Sequence, residues 1–220
     1  MIEAEKIVKT YGTGAAAFTA LKGIDLRIRD GEFVGIMGRS GSGKSTLLYQ
    51  LSLLDFPTSG RVLMDGTDMT GLGVETCTQY RIANFGYVFQ DYALLPDLTA
   101  LENVALPLLM LNRTRQEAYR LAGEALSNVG LQEKLRNRPN MLSGGEQQRV
   151  SIARATAACP KVIFADEPTA SLDSETAERV MKVFKGLHGR GQTIVMVTHE
   201  EEFLHLFDRI IRLQDGSIAE

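Results

Sequence analysis

The sequence predicts an α/β fold: a core of buried, parallel-type strands alternating with helices, an N-terminal antiparallel β-subdomain, and an inserted α-helical subdomain. Three observations predict it. Near the N-terminus, apolar and polar residues alternate with period two, as in half-buried strands. Further on, three short segments are apolar throughout and run into loops or helices, as strands covered on both faces do. Between them, residues 114–129 carry apolar side chains at helical spacing.

The elements follow in order. IEAEKIV at the start, IDLRI at 24–28 and RVLMDG at 61–66 alternate and end in turn residues, the mark of antiparallel strands. FVGIM at 33–37 is a continuous apolar run feeding a Gly-rich loop, and STLLYQLSLL then reads as a helix that ends at the DFPTSG turn. FGYVFQ is another strand-like run. From Thr114 to Val129, Ala118, Leu121, Ala122, Ala125, Leu126 and Val129 share one helix face, with a Thr114/Glu117 capping box ahead and Gly130 behind. LSGGEQQR at 142–149 opens a further helix. VIFAD at 162–166 and TIVMVTH at 193–199 are buried-type strands joined by a helix from about Ser174 to Leu187. RIIRLQDGSIAE predicts a closing hairpin that turns at Asp215-Gly216.

With 220 residues, 44% of them hydrophobic, the chain suits one domain with a sizeable core and leaves little room for a second. A single domain over 1–220 is therefore expected, with the helical subdomain inserted at about 91–158. The formal net charge of -3 gives no sign of an overall electrostatic grip on nucleic acid or an anionic membrane. Cys77 and Cys159 stand in no metal-ligand spacing and read as buried reduced thiols. The N-terminus MIEAEKIVKT has no apolar h-region, so the chain is expected to stay in the cytosol. VALPLLML at 104–111 is too short to span a bilayer and is interrupted by Pro107.

The chemistry-bearing residues lie where these elements end. GRSGSGKST at 38–46 fits G-x-x-x-x-G-K-[ST] at a strand-to-helix junction. Glycines at 38, 41 and 43 let the backbone curl so that its N–H groups face phosphate, Lys44 reaches the β- and γ-phosphates, and the Ser45 hydroxyl suits Mg²⁺. VIFADE sets Asp166 and Glu167 at a strand's carboxyl end, where ligands of open α/β sheets gather. There Asp166 can hold the hydration shell of Mg²⁺ while Glu167 polarises an attacking water. His199 ends a second such strand and can hydrogen-bond a γ-phosphate; His188 and His205 have no comparable setting. Gln90 offers a neutral amide that can contact Mg²⁺ or water. Ser143-Gly144-Gly145, at a helix start, presents partnerless N–H groups and the positive end of the dipole, a second anion site far from the first.

Together these segments resemble the ATP-binding subunit of ABC transporters, and the resemblance covers essentially all 220 residues. It implies a phosphate-loop NTPase (RecA-like) core, a Q-loop at Gln90, a signature at LSGGEQQR, a Walker B and catalytic acid in VIFADE, a D-loop at 171–173 with Asp173, and a switch histidine at His199. By the same resemblance Gly38, Ser40, Gly41, Ser42, Gly43, Lys44, Ser45 and Thr46 cradle the phosphates, and Tyr11, in KTYGTG, stacks on adenine. It also explains the duplication of phosphate elements. In the family two subunits meet head to tail, and each ATP is held between the phosphate loop of one and the signature of the other. Reciprocity of this kind is what a two-fold interface requires. The resemblance therefore implies a homodimer on Mg-ATP binding, ATP hydrolysis, and integral membrane permease subunits supplied by another chain at the inner face of the membrane. Nucleic acid is not an expected partner.

Within the family, FQDYALLPDLTALENVALPL followed by MLSGGEQQRVSIARA is similar to the subgroup serving lipoprotein release and macrolide export. By analogy, the segment from Asp91 to Leu98 receives a coupling helix of the membrane partner. Two alternatives keep the ATPase and change what it drives, namely mechanotransmission in a cell-division-like complex, or the work of a soluble ABC ATPase. Soluble relatives separate the Walker motifs with a long coiled coil or join two cassettes in one chain, whereas here about 120 residues separate Lys44 from Asp166 and one cassette is present. A small-molecule kinase would leave LSGGEQQR and Asp173 without a role.

Overall fold

A computed structural model describes residues 1–219. In chain order the elements are β1 (Ile2–Tyr11), β2 (Phe18–Ile28), β3 (Phe33–Gly38), α1 (Lys44–Leu51), β4 (Ser59–Met64), β5 (Thr67–Asp68), α2 (Val74–Asn84), β6 (Phe85–Val88), α3 (Ala100–Met110), α4 (Arg115–Asn128), α5 (Gly144–Thr156), β7 (Val162–Asp166), α6 (Ser174–His188), β8 (Thr193–Val197), β9 (Arg209–Gln214) and β10 (Ser217–Ala219). They fall into two compact units, Met1–Arg81 with Gly191–Glu220 and Ile82–Arg190. The α/β class, the antiparallel N-terminal sheet and the helical region match the expectation.

In the first unit, β2-β1-β4-β5 form an antiparallel sheet. The predicted alternation holds along β2, where Ile24, Leu26 and Ile28 are buried while Asp25 and Arg27 face out. β1 departs from it at Lys6, whose left-handed backbone (φ 49°) marks a register shift. Opposite that bulge only glycine fits: a Cβ on Gly60 would lie 2.3 Å from the Lys6 carbonyl oxygen. β3 pairs in parallel with β8 and with β9, and β9 pairs antiparallel with β10. Phe33 to Met37 and Thr193 to Val197 are buried without interruption, as the continuous apolar runs require. The hairpin turns where expected, with Asp215 and Gly216 both at positive φ.

In the second unit, β6 and β7 pair in parallel, and α5 packs on β6, α3, α4 and α6. Gly86 makes the closest of these approaches, since a Cβ there would lie 2.1 Å from the Ala155 carbonyl oxygen. Ala177, Val180, Met181 and Phe184 form the buried stripe of α6, with the i, i+3, i+4, i+7 spacing of an amphipathic helix.

Four details differ from the sequence reading. Pro107 does not break the oily stretch, and α3 runs through it. A Thr99/Glu102 capping box starts that helix, and burial of Ala100, Val104, Ala105 and Leu108 outweighs the hydrogen bond that proline removes. At α4 only half of the expected box forms: Thr114 Oγ1 accepts from the Glu117 N–H, but the Glu117 carboxylate pairs with Arg113 instead. TIVMVTH ends as a strand at Val197, two residues before His199. Cys77 is buried as expected, whereas Cys159 is exposed in a turn with φ 52°.

Candidate nucleotide site

The phosphate loop leaves β3 at Gly38 and enters α1 at Lys44, with Gly41 at φ 78° and Gly43 at φ 101°. Those left-handed conformations curl the chain between strand and helix, the kind of backbone in which neighbouring N–H groups can face an anion. At Gly43 a side chain is also sterically excluded, because its Cβ would lie 2.7 Å from the Ala20 carbonyl oxygen. Lys44 is 8% exposed, and its Nζ donates to the Arg39 carbonyl at 3.2 Å. The buried Ser42 Oγ has no hydrogen-bond partner. A desolvated ammonium and an unsatisfied hydroxyl inside a curl of N–H groups are what a phosphate would neutralise and satisfy. Ser40 is exposed at the lip; Ser45 and Thr46 are half-buried in the first turn of α1.

The closing hairpin holds this loop from behind, a role the sequence reading did not give it. Gly216 N–H donates to the Ser42 carbonyl at 3.1 Å. A Cβ on Gly216 would lie 2.6 Å from the Ala20 oxygen, and one on Gly38 would lie 2.3 Å from the Leu213 oxygen. A 380 Å³ cavity lies between the loop and the hairpin, lined by Gly38–Ser42, Arg212–Asp215 and Ala219. The only trace in the sequence was the Asp215-Gly216 turn, which predicts a hairpin but not its neighbour.

Tyr11, at the end of β1, is 42% exposed and anchored at both its hydroxyl and its ring. Its Oη donates to Asp55 Oδ2 at 3.1 Å, and Lys9 Nζ lies 5.0 Å from the ring centroid. Burial acts to raise the Asp55 pKa, but hydrogen bonds from Lys9, the Phe56 N–H and Gln50 hold it below the usual carboxylate range.

In the second unit, Asp166 is the last residue of β7 and is 7% exposed. Glu167 follows in left-handed backbone at φ 45°, a conformation that costs a non-glycine residue about 1 kcal/mol or more and persists only where neighbours impose it. Here the Ala170 N–H donates to the Glu167 carbonyl at 3.2 Å, and Gln148 of α5 donates to the Pro168 carbonyl at 2.6 Å. Gln90 lies exposed in a turn two residues beyond β6.

Ser143 is the N-cap of α5 and stays exposed. Its Oγ accepts from the Glu146 N–H, and the Glu146 carboxylate accepts from the Ser143 N–H at 2.8 Å, a complete capping box. That backbone hydrogen bond, with help from the Ser143 hydroxyl and Lys134, holds the Glu146 pKa below its ordinary value. Gly144 and Gly145 have steric reasons to be glycine: Cβ atoms there would lie 3.0 Å from Tyr92 Oη and 2.2 Å from Thr176 Cγ2. Thr176 is also the residue whose N–H Asp173 caps at the start of α6, at 3.0 Å, and hydrogen bonds from the Thr176 side chain and then its N–H lower the Asp173 pKa. The signature and the segment at 171–173 are thus brought together. The phosphate loop, Tyr11 and His199, which is exposed, belong to the first unit; Gln90, Asp166, Glu167, Ser143–Gly145 and Asp173 belong to the second.

A profile of the ABC transporter family matches residues 21–170. An uncharacterized ABC transporter ATP-binding protein of Methanocaldococcus jannaschii is 49% identical over 100% of this chain and 98% of its own length. The lipoprotein-releasing system ATP-binding protein LolD of Aquifex aeolicus is 46% identical over 100% and 96%. The macrolide export ATP-binding/permease protein MacB of Brucella melitensis is 45% identical over 99% of this chain, which spans 34% of that longer protein. Among solved structures, the ATP-binding cassette MJ0796, a dimer in a post-hydrolysis state bound to ADP and Pi, superposes with a TM-score of 0.93 at 44% identity, covering 100% of this chain and 97% of that one. The chain belongs to the ABC transporter family, as an ATP-binding subunit that hydrolyses ATP.

Proposed function

We propose that Mg-ATP drives two copies of this chain together head to tail, and that closing and opening of the dimer powers a separate membrane subunit for export or extraction of lipoprotein, peptide or drug. The observation that carries the reading is the presence of two separate phosphate elements in one chain, the loop at Gly38–Thr46 and the exposed N-terminus of α5. In a two-fold pair each triphosphate can take the loop of one copy and the helix start of the other, so that each element is used once. The post-hydrolysis dimer of MJ0796 supports the same assembly. Among the described residues no helix is long and apolar enough to cross a membrane, which agrees with a permease on another chain and a peripheral place for this one at the inner face of the membrane.

In this reading Tyr11 stacks on adenine, and Lys44 with the N–H groups of 40–46 binds the β- and γ-phosphates. Among the described residues no group of three or more His, Cys, Asp or Glu is placed to hold a metal ion, and a divalent ion at this site would draw on phosphate oxygens and water as well as on the chain. Ser45, Gln90 and Asp166 would hold Mg²⁺, which offsets charge on the phosphates. Glu167, fixed in direction by its backbone, takes the proton of the attacking water, and His199 and Gln90 orient that water and the γ-phosphate. Across the dimer, Ser143, Gly144 and Gly145 donate to the partner's γ-phosphate, and Asp173 links the two sites. Loss of that phosphate removes the contacts that favoured closure. Asp91 to Leu98 is where the membrane subunit docks.

The test is Glu167→Gln. Removing a general base is expected to lower turnover about 10²- to 10⁴-fold while ATP affinity is kept, so the variant accumulates as an ATP-dependent dimer by light scattering. A variant that turns over normally, or stays monomeric at saturating Mg-ATP, overturns the assignment. Mass spectrometry of what co-purifies with it from gently solubilised membranes identifies the permease, and recovery of soluble partners alone rejects the transport reading.

A further inference from the structure

Two and three residues after Gln90, Tyr92 and Ala93 both carry left-handed backbone, at φ 63° and 46°. Neither is glycine, so two such residues in succession are unfavourable unless something outside the turn holds them. Among the described residues the turn's own main-chain bonds are Tyr92 N–H on the Phe89 carbonyl at 3.3 Å and Ala93 N–H on the Asp91 carbonyl at 2.7 Å. The rest of the restraint comes from α5. Arg154 Nη2 donates to the Tyr92 carbonyl at 2.9 Å and its Nη1 to the Ala93 carbonyl at 2.5 Å, with a weaker contact from Nη2 to Ser151 Oγ at 3.4 Å. One planar fork therefore spans both carbonyls with two donors held in fixed geometry, where a lysine would have to serve both from one flexible point charge. Burial lowers the Arg154 pKa, and the Asp91 charge opposes that shift. The Tyr92 side chain meets the other end of the same helix, where a Cβ on Gly144 would lie 3.0 Å from its hydroxyl.

We infer that Arg154 is a positioning residue for the ATPase reaction: by pinning the 92 and 93 carbonyls it makes the turn that carries Gln90 part of the helix that carries Ser143–Gly145. A helix of 13 residues is about 20 Å long and stiff. Whatever moves its N-terminus, including a partner's γ-phosphate, is then delivered to Gln90 through the Arg154 fork and the Tyr92 ring. The inference rests on the proposed role of Gln90 at the nucleotide.

The experiment is a double-mutant cycle of Arg154→Lys and Gln90→Ala, reading kcat, KM and the affinity for a fluorescent ATP analogue, with thermal unfolding on the same samples. Arg154→Lys is expected to bind the analogue within two-fold of the wild type, because the phosphate loop is untouched, and to lose about ten- to a hundred-fold in kcat through misplacement of Gln90. In the Gln90→Ala background the same substitution is expected to change kcat less than two-fold. Ala93→Gly, which adopts the left-handed conformation unaided, is expected to restore part of the kcat lost by Arg154→Lys. If Arg154→Lys is unfolded at the assay temperature, Arg154→Gln, whose amide reaches one carbonyl, takes its place in the cycle. Losses that multiply independently, or an affinity that falls with kcat, overturn the inference while leaving the role of Gln90 standing. A Gln90→Ala protein with wild-type kcat overturns the role of Gln90 first and the inference with it.

Discussion

Gly86→Ala tests the packing that sets the second unit. Gly86 lies in the middle of β6, the strand that leads to Gln90, and faces the backbone of α5. An added Cβ would lie 2.1 Å from the Ala155 carbonyl oxygen, 2.8 Å from its carbon and 3.1 Å from its Cβ. Ordinary contact begins near 3.4 Å, so strand and helix must separate by more than about 1 Å, and main-chain atoms on both sides cannot rotate out of the way. Overpacking of this kind costs about 1–3 kcal/mol. For a chain of this length each kcal/mol moves the melting temperature by about 2–4 °C, so a fall of roughly 2–12 °C is expected. Gly186→Ala is the matched control. It lies in α6, exposed, with no atom within 4 Å of its would-be Cβ, and relief of backbone entropy should stabilise it by about 0.5–1 kcal/mol. Differential scanning calorimetry of the two variants should therefore give shifts of opposite sign. A Gly86→Ala protein that melts within a degree of the wild type would refute the close approach of β6 and α5.

Other expectations are equally direct. Asn103 is fully buried; its Nδ2 donates to the carbonyls of Leu95, Leu98 and Thr99, and its Oδ1 accepts from the Leu95 N–H. Asn103→Leu takes the side-chain partner from the Leu95 N–H and the Leu98 carbonyl, while the Leu95 and Thr99 carbonyls keep the Leu98 and residue-103 N–H groups, with an expected loss of about 2–4 kcal/mol and faster amide exchange over 95–99; unchanged exchange there would remove Asn103 as the organiser of that segment. The Glu102 and Glu146 carboxylates are held below their ordinary value near 4.5, chiefly by the Thr99 and Ser143 N–H groups. Their contribution to stability is thus complete above that pH and is lost as pH falls through the depressed values. Acid titration of Glu146→Gln should give a shallower loss of stability below pH 4.5 than the wild type, and superimposable curves would deny the capping box a role. Cys159 is exposed whereas Cys77 is buried with its pKa raised by desolvation, so a thiol reagent should label one cysteine in the folded protein and two after unfolding; rapid labelling of both would contradict the burial of Cys77.

Much of the fold was legible because it is local. Period-two runs gave β1, β2 and β4, continuous apolar runs gave β3, β7 and β8, and the stripe on α4 gave both the helix and its end at Gly130. Ser143 as N-cap and the turn at Asp215-Gly216 were legible for the same reason, since capping and turn chemistry act within a few residues. Where the reading failed, a neighbour distant in sequence or a competing charge decided. Glu117 turned from its cap to Arg113, and α3 continued through Pro107 because its buried face outweighed one hydrogen bond.

The sequence by itself determined which residue types stand at which element ends, and therefore the family, the phosphate loop and the candidate catalytic set. What only the tertiary structure decided is why those ends have the geometry they do. Gly216 braces Ser42 from the far end of the chain, Arg154 holds Tyr92 and Ala93, Thr176 fills the space a side chain on Gly145 would need, and Gln148 steadies the bend at Glu167 and Pro168. Hydropathy periods and motifs record what each residue is and how it repeats along the chain. They carry no record of which main-chain atoms will approach within about 3 Å once strands and helices pack, and at a phosphate site those approaches set the geometry of the chemistry.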